Sequence, residues 1–185
     1  MRADARSNRD RVLAAARDLF AERGIDVGMR EIARRAEVGP ATLYRRFPTK
    51  QDVIDEAFAV ELRACRRAVF DGFDDPDAWH GFTSAVRRLI VLNVRNRGFV
   101  DAFTSAKPME GPLAEHRREL LGTLGDLARR AQRSGRLRSD FVSDDLVLVL
   151  LAGRGLSAKR TQTRETAAHR FADLMIDALG TEPAR

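Results

Sequence analysis

Thr42, Tyr44, Arg45 and Arg46 stand within one short window and carry the chemistry of phosphate and base recognition. A guanidinium is a planar fork that meets two acceptors at once, either two phosphate oxygens or the O6 and N7 of guanine. Hydroxyl and phenol groups donate single hydrogen bonds to phosphate, which fix register without reading sequence. Ala41, beside them, is short enough to let a helix approach base edges. Catalysis has no comparable set. His80, His116 and His169 share no ligand spacing, and Cys65 is the one cysteine. No nucleophile–base constellation, phosphate-cradling glycine loop or zinc pattern occurs. Asp71, Asp74, Asp75, Asp77 and His80 read either as a cation site or, with the local pattern in favour, as a loop and a helix start.

The recognition groups need elements to hold them. Ile32, Ala33 and Ala36 make a short apolar stripe at helical spacing, Val38 plugs a turn, and Leu43 and Phe47 anchor a second short helix. Ala33 is small where the two helices cross. This spacing predicts a helix-turn-helix. Pro40 falls in a first helical turn, where its missing N–H is harmless. With Leu43 and Phe47 inward, Ala41, Thr42, Tyr44, Arg45 and Arg46 occupy the outer face. Arg34, Arg35 and Arg45 read equally as plain solvated positions. The net charge of +6 is uneven: residues 1–50 hold 12 basic and 7 acidic side chains, and the remainder 21 and 20. A basic segment on a nearly neutral body suits a polyanionic partner, and suits an arbitrary surface excess as well.

The 185 residues, 44% hydrophobic and 32% charged, have the balance of a soluble globular chain with one or two small domains. The longest apolar run, Leu146 to Ala152, is far short of the roughly 20 residues of a membrane span. With no apolar leader visible and a single cysteine, the expected compartment is cytoplasmic. Apolar residues recur every three or four positions almost throughout. The first stripe, Val12 to Phe20, stops at Gly24. A long fourth helix is predicted from Val53 through Val69, and a fifth from the Trp79, Phe82, Val86, Leu89 and Ile90 stripe. The sixth holds Phe99, Val100 and Phe103, and the seventh spans Leu113 to Ala131. The eighth is capped by Ser143, and the ninth runs from about Arg164 to Leu179. The expected fold is all-α with about nine helices. Residues 1–50 form a three-helix DNA-binding domain of helix-turn-helix type and residues 51–185 a larger helical domain. Trp79, Phe82, Phe99, Phe103 and Met109 either line an apolar cavity or fill the core. Arg95, Arg97 and His116 are available as polar contacts to an anionic ligand, though nothing singles them out. Leu146, Leu150, Phe171, Leu174, Met175 and Ala178 make two apolar faces suited to a four-helix bundle across a two-fold axis. Gly153 and Gly155 mark either a close approach across that interface or the end of a helix. Cys65 is a buried small hydrophobe or an oxidation sensor.

The run Ala-Thr-Leu-Tyr-Arg-Arg-Phe-Pro-Thr-Lys at 41–50, with Ile32, Ala33, Ala36 and Val38 before it, resembles the recognition helix and its surroundings in the TetR family of bacterial transcriptional regulators. The motif likeness covers roughly residues 9–58; beyond it, only length, helix count and pattern agree. The resemblance implies that Thr42 and Tyr44 contact the DNA backbone and that Pro40, Ala41, Arg45 and Arg46 face the groove. It implies a phosphate partner for Lys50 and a base or phosphate for Arg30. It further implies a homodimer on a palindromic operator, most often a repressor released by a small-molecule effector, with no cofactor, no metal, no membrane and no enzymatic activity. Two positions depart from the pattern. Gly28 and Met29 stand where Thr or Ser often opens the second helix and touches phosphate. Glu37 stands where Gly is common, because the turn favours positive φ. A regulator without an effector, or an activator, with a packed C-terminal domain is the alternative reading. A non-specific DNA binder and an enzyme with a site in the helical body are the others.

Overall fold

The computed structural model describes residues 2–95, 97–104, 111–153, 155–156 and 161–181. Among them are ten helices and no strand: α1 (Arg2–Arg23), α2 (Met29–Arg35), α3 (Pro40–Arg46), α4 (Lys50–Ala57), α5 (Ala59–Phe73), α6 (Ala78–Arg95), α7 (Arg97–Thr104), α8 (Pro112–Arg133), α9 (Ser143–Gly153) and α10 (Thr161–Leu179). The all-α expectation holds. The count differs by one because the long fourth helix divides at Phe58 (φ −105°, ψ 10°) into α4 and α5. No Gly or Pro marks the division, so the apolar period runs through it unbroken. Phe58 is fully buried there, its ring 5.7 Å from those of both Phe20 and Phe99.

α1 buries Val12, Leu13, Ala16, Leu19 and Phe20 and ends where Gly24 takes positive φ and donates its N–H to the Phe20 carbonyl at 3.0 Å. It packs against α2, α4 and α7. Arg17 Nε ties it to α4 by donating to the Ala57 carbonyl at 2.7 Å, one of the carbonyls a helix end leaves unpaired. α4 opens with a reciprocal cap: the Thr49 hydroxyl accepts from the Asp52 N–H, and the Asp52 carboxylate accepts from the Thr49 N–H.

α5 and α6 touch through backbone. A Cβ on Gly72 would lie 2.5 Å from the Gly81 carbonyl oxygen, and one on Gly81 would lie 2.1 Å from that of Gly72. The loop between them is the loop and helix start of the sequence reading. The Asp77 carboxylate accepts from the N–H groups of Trp79 and His80 at 2.9 and 3.0 Å. Arg130 of α8 holds the loop by donating to the Phe73 and Asp75 carbonyls. Among the described residues no cluster of His, Cys, Asp and Glu could hold a metal ion.

At α9 the structure corrects the cap. Ser143 is the first helical residue, and Asp145 reaches back to accept the Val142 N–H at 2.9 Å. α9 ends at Gly153, which packs within its own chain against Asn93 and Phe171. A single apolar core runs from α1 to α10, and no described helix is long and apolar enough to cross a membrane.

Candidate functional site

Two regions carry features that packing alone does not require. The first is the outer face of the helix-turn-helix. Ile32, Ala33, Ala36, Leu43 and Phe47 are buried and lock α2 against α3. The connection turns at Glu37, the one non-glycine residue with positive φ (53°) among those described, and closes with the Val38 N–H on the Ala33 carbonyl at 3.0 Å. Glu37 thus takes the strained turn conformation that its position demands. Gly39 and Pro40 open α3, and Gly28 opens α2 without a side-chain cap.

The residues expected to meet DNA are all at least partly accessible. Arg30, Pro40, Ala41, Tyr44, Arg45 and Arg46 are exposed, and Thr42 and Lys50 are half-buried. Tyr44, the chain's one tyrosine, is 45% exposed although it follows the buried Leu43. The arginines sort into two groups. Arg34 pairs with Glu31 at 3.7 Å, Arg35 with Glu22 at 2.7 Å, and Arg23 with Glu31. Among the described residues, Arg30, Arg45 and Arg46 have no such partner. Ion pairing therefore separates structural arginines from available ones, a distinction that spacing alone does not make.

The second region is a cavity in the helical body. It is lined from α5 by Cys65 and Val69, from α6 by Leu89 and Asn93, and from α7 by Phe99, Val100 and Phe103. α8 adds Leu120, Leu121 and Leu124, and α9 adds Leu146, Val147 and Leu150. The space open to the centre of a water-sized sphere is about 30 Å³, room for one or two waters. Burial pushes the Cys65 thiol up to about 12. It is therefore neutral and unreactive near pH 7, as a buried small hydrophobe should be.

Sequence reasoning placed part of this wall. Phe99 and Phe103 belong to it. Trp79 and Phe82 do not: they stack on each other, and Phe82 meets Phe141 edge-on at 5.4 Å. On α6, Phe82 and Asn93 are separated by three turns, about 16 Å at 1.5 Å per residue. Met109, and the side chains of Arg95 and Arg97, lie outside the described residues. His116 is half-buried, outside the wall. Leu146 and Leu150, read as interface residues, are buried within the chain and line the cavity. Of the other interface candidates, Leu174 and Ala178 are exposed, and Phe171 and Met175 are half-buried. Leu148, which sequence reading passed over, is 63% exposed on α9. Asn93 was also missed. The one signal for it was an amide in a stripe that otherwise reads Phe82, Val86, Leu89, Ile90.

Asp55 links the two regions. It lies in α4, accepts from Gln51 Nε2 at 2.9 Å, and accepts the N–H of Leu113 at the start of α8. Partial burial pushes its carboxyl above the usual aspartate value, and the charge of Asp52 adds to that; the two hydrogen bonds oppose it.

A helix-turn-helix with unpaired cations on its outer face, joined to a larger helical body, defines a class of DNA-binding regulator. The sequence matches the family model "Bacterial regulatory proteins, tetR family" over residues 12–57. It matches "Transcriptional regulator SbtR-like, C-terminal domain" over residues 76–181. The chain belongs to the TetR family of transcriptional regulators. It is 35% identical over 152 residues to the HTH-type transcriptional regulator Mb2274c of Mycobacterium bovis, covering 76% of this chain and 75% of that one. Among solved structures it is similar to the TetR regulator SCO0520 of Streptomyces coelicolor, with 31% identity, a TM-score of 0.53, and 95% and 99% of the two chains covered. The ketosteroid regulator KstR2 of Mycobacterium tuberculosis shares the fold at a TM-score of 0.70 and 16% identity, over 94% and 95% of the chains.

Proposed function

We propose that the protein is a homodimeric repressor that reads a two-fold symmetric operator and is released by a small-molecule effector. Residues 1–50 form the reading unit and residues 51–185 the sensing and pairing unit, working in the cytoplasm without a cofactor. The observation that carries the reading is the face of α3, where Tyr44, Arg45 and Arg46 are exposed, as is Arg30 of α2, the three arginines having no ion-pair partner among the described residues. Thr42, Tyr44 and Lys50 hold the phosphate backbone. Arg30, Pro40, Ala41, Arg45 and Arg46 face the groove, where a bidentate arginine discriminates guanine by about 1–3 kcal/mol. Pairing joins α9 and α10 of each subunit through Leu148, Leu174 and Ala178, with Phe171 and Met175 beside them. The exposure of Leu148 (63%) and Leu174 (46%) supports this face, because large apolar groups left in water favour a partner surface. An effector in the cavity biases the spacing of the two reading helices by its differential affinity for the two arrangements.

Selection from random duplex DNA at near-physiological salt tests the reading. The expected outcome is a two-fold symmetric motif with half-sites about one DNA turn or somewhat more apart. Equal affinity for scrambled duplexes would instead mean a non-specific binder. The small cavity favours one second reading, a regulator or activator that works without an effector. Operator affinity unchanged across a small-molecule screen would establish it.

A further inference from the structure

Asn93 is 4% exposed and stands in the cavity wall. Its Nδ2 donates to the Leu150 carbonyl on α9. That bond fixes the amide's orientation, because a carbonyl accepts only from the nitrogen. The Oδ1 is thereby committed to the other side, where it is buried and has no donor. A buried acceptor without a partner is costly and rare in a finished core. The rest of the described wall is leucine, valine and phenylalanine, together with the neutral Cys65 thiol, with no charged side chain among the described lining residues.

We propose that the cavity receives an uncharged, mainly hydrocarbon molecule bearing a hydroxyl or N–H group, which donates its hydrogen bond to Asn93 Oδ1. The proposal rests on the effector reading and narrows it to a ligand class. Anions are disfavoured twice: the described lining residues offer no cation, and a carboxylate would face another oxygen. The space holds only one or two waters and Asn93 Oδ1 is barely open to it, so a larger occupant has to widen the wall to reach the acceptor. α7 is not free to yield without consequence. Phe99 rests on Phe58, and Phe58 on Phe20. Gly98 lies so close to α1 that a Cβ there would come within 2.8 Å of the Phe20 carbonyl carbon. Occupancy of the cavity is therefore felt at α1, which packs on α2.

The test compares three probes on the full-length protein: 1-hexanol, its isomer methyl pentyl ether, and hexanoate. Binding is followed through leucine and valine methyl signals in NMR titrations. The alcohol should bind about tenfold tighter than the ether, the size of one hydrogen bond to a buried acceptor, and hexanoate should bind weakest. The methyls of Leu120, Leu124 and Val147 should respond most. Asn93→Leu should erase the difference between alcohol and ether while retaining both. Should that variant not fold, the ratio in the unaltered protein decides alone. A ratio near one, tighter binding of hexanoate, or no binding of any probe overturns the proposal. Release of a selected operator duplex separates the two levels. Alcohol that binds without releasing DNA sinks the effector reading and leaves the ligand class standing. Ether that releases DNA as well as the alcohol does the reverse.

Discussion

The reading face and the cavity are built by opposite strategies. The reading face draws nearly all its groups from residues 40–50, projected outward from one short helix whose inward side is fixed by Leu43 and Phe47. The cavity draws its wall from five helices and residues as far apart as Cys65 and Leu150. One is polar, exposed and contiguous, and the other is apolar, internal and dispersed. A contiguous site tolerates change elsewhere in the chain, because a rigid two-helix unit carries it whole. A dispersed site exists only while five helices keep their relative positions, which makes it a natural sensor of anything that moves them.

That contrast gives a ranked set of outcomes. Phe47→Ala attacks the support of the reading face. Removing a fully buried ring should cost about 3–5 kcal/mol and lower the midpoint of the whole chemical denaturation curve, since the core is continuous across both regions. A local loss of DNA binding with an unchanged midpoint would show the regions to be independent. Leu120→Ala attacks the cavity wall, where Leu120 is buried. About 2–5 kcal/mol should be lost, while affinity for small apolar alcohols rises because the space is larger. Weaker alcohol binding would contradict the assigned wall.

Tyr44→Ala should show the complementary behaviour. Stability should stay within about 0.5 kcal/mol, while operator affinity falls about tenfold or more in mobility-shift titrations, with no change in probe binding. Glu37→Gly tests the turn. Relief of the left-handed conformation, about 1–2 kcal/mol, exceeds the entropic cost of glycine, roughly 0.5–1 kcal/mol, so stability should rise by about 0.5–1 kcal/mol in urea melts. The smallest effect is at the link. The folded state holds the Asp55 proton more tightly than the unfolded chain does. Its contribution to stability is therefore present below the ordinary aspartate range and is lost as pH rises through the raised value. Asp55→Asn should melt slightly higher than the parent at pH 7, with the gap closing towards pH 3. A gap that widens on acidification would reverse the sign.

The same contrast explains what could be read from the sequence. The helix-turn-helix was legible because its period, its turn and its exposed cations all fall within one window. Glu37 could even be assigned its positive φ from the turn's demand. The wall of the cavity was not legible as a wall. Leu120, Leu124 and Leu146 have the same spacing whether they meet a neighbour or a void, since periodicity reports which face is inward and not how well it is filled. Phe99 and Phe103 line the cavity, whereas Trp79 and Phe82 belong to the opposite end of α6; composition gives no axial coordinate. The division at Phe58 escaped for a related reason, because a bend that keeps both halves buried leaves the apolar period intact.

The seam at Gly98 also sets an order of events during synthesis. Residues 1–57 leave the ribosome with α1 to α4 complete in sequence, yet Phe20 still lacks the Phe58 ring and the backbone of α7 that cover it in the finished protein. The reading unit therefore stays unfinished for about the time needed to add the next forty to fifty residues, a few seconds at roughly 5–20 residues per second. A chain cut short before α7 would carry the whole recognition helix with the Phe20 face of α1 left uncovered.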